Sequence, residues 1–205
     1  MHMRIQTLKA FATLLIVLSG VVHLSAQFEL TVRPMLKENT YGVFVKVQDE
    51  FTPSDRVLTG TGQVTLVLSN YIEVEGVQSF FGDWSSYDLV QSPDENPGKN
   101  YLSVGLTGGY EDISYTPGAE TLLFTVATQT DTPFGEVALI ENDLDPFAQL
   151  PNSFSTNPGN ELSAVDPLDG MRVYRYAGNY ASFGYAGTAQ TKKKMNGKDV
   201  LTAKQ

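Results

Sequence analysis

The sequence predicts an all-β chain: a two-sheet β-sandwich of eight to ten strands with jelly-roll or Greek-key connections, behind a cleavable signal helix. Three observations carry that prediction. Apolar and polar residues alternate with period two in segment after segment of the 205-residue chain. Clusters of Gly, Pro, Asn and Asp interrupt these segments every 8 to 20 residues. Outside the first 26 residues, no segment sustains helical spacing over three turns.

The helix belongs to the leader, residues 1–26. Arg4 and Lys9 make a positive start with no acidic residue nearby, and a 13-residue, mostly apolar run follows from Ala10 to Val22. Leu24-Ser25-Ala26 then supplies a small residue for cleavage before Gln27. A membrane span needs roughly 20 apolar residues, and this run is shorter and broken by Thr13, Ser19 and Gly20. The expectation is a secretory signal peptide with no transmembrane anchor. It directs the chain to the cell surface or medium, and the periplasm fits equally.

Strands follow in order. Phe28 to Arg33 alternates before Pro34, and Val43, Val45 and Val47 share one face after Gly42. Gln63 to Ser69 repeats the pattern after Gly60-Thr61-Gly62, read as a turn. Tyr87 to Gln91 and Tyr101 to Leu106 flank a loop, 92–100, rich in Pro, Asn, Asp and Gly. Gly108-Gly109 and Thr116-Pro117-Gly118 break the chain. Thr121 to Ala127 is apolar on both faces and so predicts the most buried strand. Gly135 to Ile140 precedes a long polar stretch, 141–169. Met171 to Tyr176 closes the body, with Tyr180 to Tyr185 as a trailing strand. The domain reading is therefore a sandwich over 27–180 and a Gly-rich, Lys-rich tail or linker over 181–205.

Composition excludes much chemistry. The two histidines, His2 and His23, both lie in the leader, and the chain has no cysteine. The mature chain therefore has no Ser-His-Asp or Cys-His catalytic pair, no His- or Cys-ligated zinc and no thiol redox centre. Removing the leader, with two basic and no acidic residues, takes the formal charge from −9 to −11. The tail from Thr191 carries five lysines against Asp199, so the body between is near −15. That field repels phosphate backbones and argues against nucleic acid as a partner.

Two sets of side chains remain candidates. Glu141, Asp143 and Asp145 alternate in one loop, as a hard cation such as calcium requires of oxygen ligands. The full EF-hand pattern fails, because Pro146 stands where glycine is needed and Asn152 where a bidentate glutamate should be. A looser calcium site would draw on Asp166 or Asp169. For a sugar ligand, Trp84, Tyr87, Tyr110 and Tyr115 are the candidate stacking rings. A lone tryptophan beside Phe80 and Phe81 is also what a sandwich core uses, and that expectation is the stronger. Glu73 and Glu75, two apart on a candidate strand and facing the same side, read as an exposed charged edge rather than the carboxylate pair of a glycosidase. Without a matching motif the weaker expectation is catalysis, and the chain reads as a non-enzyme.

The order of segments resembles a cohesin-type domain, the jelly-roll sandwich of exported bacterial proteins, and more generally a carbohydrate-binding-module-like sandwich. The strand at 64–69, the Leu-Leu-Phe-Thr-Val run within 121–127 and the Val-Tyr-Arg-Tyr strand at 173–176 carry the likeness. Asn142 to Phe147 and Asn157 to Glu161 are similar to modules in large surface proteins of gliding bacteria. The resemblance implies a non-catalytic binding module that engages a protein or polysaccharide partner, a dockerin in cohesins, on one sheet face. Loops 92–100 and 141–169 are the alternative recognition elements. A purely structural segment of a larger adhesin or envelope assembly is the runner-up.

Overall fold

Backbone alternation in this chain converts directly into a ladder. The computed structural model describes residues 27–129 and 136–180. The leader (1–26), the tail (181–205) and all but the first residue of the trailing strand expected at 180–185 lie outside the described residues. Among the described residues there are ten strands and no α-helix. In chain order they are β1 (Phe28–Pro34), β2 (Thr40–Val47), β3 (Leu58–Ser69), β4 (Glu73–Ser79) and β5 (Asp83–Gln91). Then come β6 (Lys99–Gly108), β7 (Glu120–Gln129), β8 (Val137–Leu139), β9 (Glu161–Asp166) and β10 (Arg172–Asn179). One 3-10 turn, Pro146–Ala148, interrupts the loop between β8 and β9.

Nine strands join in one hydrogen-bonded path, β4-β7-β2-β1-β10-β9-β3-β6-β5, and β8 pairs with β3. Every pairing is antiparallel except that of β1 with β10. Strand β10 links the two halves, pairing Tyr176 with Phe28 on one side and Tyr174 with Ala164 on the other. The result is one mixed sheet, nearly barrel-shaped, rather than two unconnected ones. Alternate side chains from both halves fill a single core, among them Leu30, Val45, Leu66, Val104, Val126 and Tyr174. Strand β7 is buried continuously from Thr121 to Val126, as its apolar faces require.

Two sequence expectations need correction. Gly60-Thr61-Gly62 is not a turn but lies inside β3. A Cβ at Gly62 would stand 2.6 Å from the Trp84 ring, so glycine here gives room for a core side chain. A strand, β9, lies within the polar stretch 141–169. Glu73 and Glu75 are both exposed on β4 at the end of the ladder, as a charged edge would be, with a bulge between Val74 and Gly76.

Candidate binding face

Strand β3 organises the outer surface. Its inward residues Val64, Leu66 and Leu68 belong to the core, so the alternate residues face outward. At the C-terminal half of β3 that outer face is covered. Val67 packs with Val90, Tyr101, Ile140 and Phe147 in a second, smaller apolar cluster. Phe147 is fully buried and packs at a tilt of 48° against Tyr101, with ring centroids 4.6 Å apart.

Polar side chains of the loop hold this cover in place. Asp145 caps the 3-10 turn by accepting from the Phe147 N–H at 2.9 Å, and it also accepts from the Tyr101 hydroxyl at 2.9 Å. Burial foremost, with Asp145 contributing, pushes the Tyr101 phenol well above its ordinary pKa. Asn152 donates to the Phe147 and Thr156 carbonyls and accepts from the Thr156 N–H. Asn142 and Asn160 exchange side-chain and backbone bonds at 2.8–2.9 Å. Asn160 also accepts from the Thr65 N–H, filling the point where β3 changes partner from β9 to β8. Ser153 donates its N–H and its hydroxyl to Glu95 at 2.7 Å, which ties this loop to loop 92–100. The two expected recognition loops therefore brace each other.

The calcium candidates are engaged differently from the expectation. Asp145 is a cap, Glu141 accepts from Asn179 at 3.0 Å, and Asp143 is exposed. Among the described residues, no three such ligands gather closely enough to hold a metal ion. Asp166, the proposed auxiliary ligand, is fully buried and accepts from the Ser54 N–H and hydroxyl at 2.7 and 2.6 Å and from the Leu168 N–H at 3.0 Å. Burial acts to raise its pKa, but these donors outweigh it and hold the carboxyl below the usual range.

The sugar-stacking candidates separate as well. Trp84 is 4% exposed, packs 5.2 Å from Phe124 and donates its indole N–H to the Phe81 carbonyl at 2.8 Å. Tyr115 is buried, stacks on Phe28 and shares a hydrogen bond with Thr59. Both are core residues, so neither presents a ring face to a glycan. The side chain of Tyr87, a residue of β5, lies outside what the structure describes. Only Tyr110 is visibly exposed, at 44%.

Tyr110 borders a site the sequence did not reveal. Leu58, in the first half of β3, is 48% exposed and pairs with Val165 of β9, which pairs in turn with Val173 of β10. Their neighbours Thr59, Ala164 and Tyr174 are buried, so alternation places all three aliphatic side chains in one outward row across three strands. A hollow of about 460 Å³, lined by Leu58, Gly60, Gly109, Tyr110 and Glu111, adjoins the row. The next row is polar: Thr61 and Ser163 share a 2.8 Å hydrogen bond, and exposed Arg175 pairs with Ser163. An apolar strip with a hydrogen-bonding margin is how a protein interface is built.

No helix among the described residues is long and apolar enough to cross a membrane. The chain matches no known protein family, no curated protein and no solved structure.

Proposed function

We propose that this chain is an exported, non-catalytic binding module of cohesin-like sandwich type. It engages a protein partner through the outer face of β10, β9 and β3. The observation that carries this reading is the registered aliphatic row Leu58–Val165–Val173, left open on a face whose other end is sealed by its own loop. Apolar residues exposed singly are ordinary, whereas a contiguous strip rimmed by polar groups marks an interaction site.

A protein partner is favoured over a glycan because the strip is aliphatic and two of the four candidate stacking rings are core residues. A binding rather than catalytic role is supported by the carboxylates. Hydrogen bonds and nearby cations hold the carboxyls of Glu95, Glu120, Glu136 and Asp166 below the usual range, whereas a glycosidase acid needs a raised one.

The test passes a cell-surface extract over the immobilised domain, wild type against the Leu58→Asp/Val165→Asp double variant. Proteins retained by the wild type and lost by the variant, at an unchanged melting temperature, support the reading. Equal retention by both, or retention of polysaccharide alone, would falsify it.

A further inference from the structure

A second hollow lies on the outer face of the opposite half of the ladder. The turn after β1 stands over the strands β2, β7 and β4 and encloses about 410 Å³. Its walls are mainly apolar, with Met35, Leu36, Val77, Phe80 and Ala127 contributing. Leu36 is 81% exposed at the lip, although nothing about a turn requires a large apolar side chain there. A smaller, polar hollow of about 300 Å³ adjoins it and shares Lys37, Thr40, Glu75 and Ala127 as walls. The smaller hollow adds Glu38, giving two carboxylates, Glu38 and Glu75, against the one ammonium of Lys37. Strand β4 ends the ladder, with β7 as its only paired strand among the described residues.

We propose that this double groove binds an extended basic segment of a partner protein. An apolar side chain would sit between Leu36 and Phe80, with a lysine or arginine two residues along against Glu38 and Glu75. Three physical points carry the assignment. Residues i and i+2 of an extended chain point the same way, about 7 Å apart, which suits two hollows that share walls. The apolar hollow falls within the usual size of a binding pocket. The charge around the smaller hollow, like the body near −15, selects a cationic segment and speeds its encounter. The same charge disfavours a second copy of this acidic body as the occupant. This inference does not rest on the Leu58 face, which belongs to the other half of the ladder.

The experiment titrates the isotope-labelled full chain with a nine-residue peptide of threonines around a central phenylalanine-threonine-lysine. Amide resonances are followed by NMR. Shifts are expected at Leu36, Gly76 and Ala127 and not at Leu58 or Val165. Ala127→Trp, which fills the groove, should weaken binding at least about tenfold. Leu36→Asp, on an exposed turn where folding is not at risk, should do the same. Replacing the peptide lysine by glutamate should abolish binding to the wild type, and Glu75→Lys should restore it. No shifts at millimolar peptide, equal binding of the lysine and glutamate peptides, or shifts with decanoate but not with the peptide would each overturn the proposal.

Discussion

The two ends of β3 treat the same outer face in opposite ways. At Val67 the face is roofed by Phe147 and braced by Asn152, Asn160 and Asp145. At Leu58 the face is more open: exposed Leu58 and half-buried Val165 and Val173 stand in a row, with Thr61, Ser163 and Arg175 on one side and Tyr110 near Leu58. Apolar surface left in water is unfavourable by about 25 cal/mol per Å² relative to burial. Among the described residues there is a lid at one end and none at the other, which is the difference the proposed partner-binding role rests on.

The comparison can be broken most forcefully at the sealed end. Phe147→Ala empties a fully buried position and should destabilise the domain by about 3–5 kcal/mol, lowering Tm by on the order of 10 °C. Thermal unfolding followed by circular dichroism measures this. A loss as small as that of a surface residue would mean the lid is not part of the core.

The open end is anchored from inside by Asp166, next in sequence to Val165. Asp166→Ala should destabilise by about 2 kcal/mol, because it leaves the Ser54, Leu168 and Asp169 donors without their shared acceptor. The pH dependence has a definite sign. A carboxyl depressed in the folded state contributes stability that is fully present above its unfolded pKa, about 3.9, and is lost as pH falls through the folded value. Asp166→Asn should therefore flatten the acid side of the stability–pH curve while changing the neutral-to-basic side little in slope. Urea unfolding across pH 2–7 shows whether it does.

Much of this was legible in the sequence. Strands β1, β2 and β6 announce themselves by alternation, because their core faces are filled by large aliphatic or aromatic residues, and β7 by its unbroken apolar run. Strand β9 does not, since its inward residues are Leu162, the small Ala164 and the buried Asp166, set among Asn, Pro and Gly. The Leu58 row was invisible for a related reason. Glycines around Thr61 imitate a turn, and pairing across strands far apart in sequence leaves no mark in a single chain. Trp84, expected in the core from its neighbours Phe80 and Phe81, is there; what local context does not give is its contact with Gly62, 22 residues away and pressed against its ring. Likewise the alternating acids at 141–145 resemble a cation loop, and only the positions of Tyr101 and Asn179 reveal what Asp145 and Glu141 hold.

Smaller effects sharpen the contrast. Leu58→Ser, at an exposed position, should change stability by no more than about 0.5 kcal/mol, and Val165→Ser, at a half-buried one, by about 1 kcal/mol, each weakening partner binding. Smallest of all, Glu136→Gln removes the exposed pair with Lys99 and should leave Tm unchanged within error.

The most direct test compares photo-crosslinking from the two ends of the outer face on whole cells. A photoreactive residue replaces Leu58 at the open row in one protein, and exposed Leu150 on the lid in another. The account predicts a discrete protein adduct from position 58 and none from position 150. Adducts from position 150 with none from position 58 would contradict it.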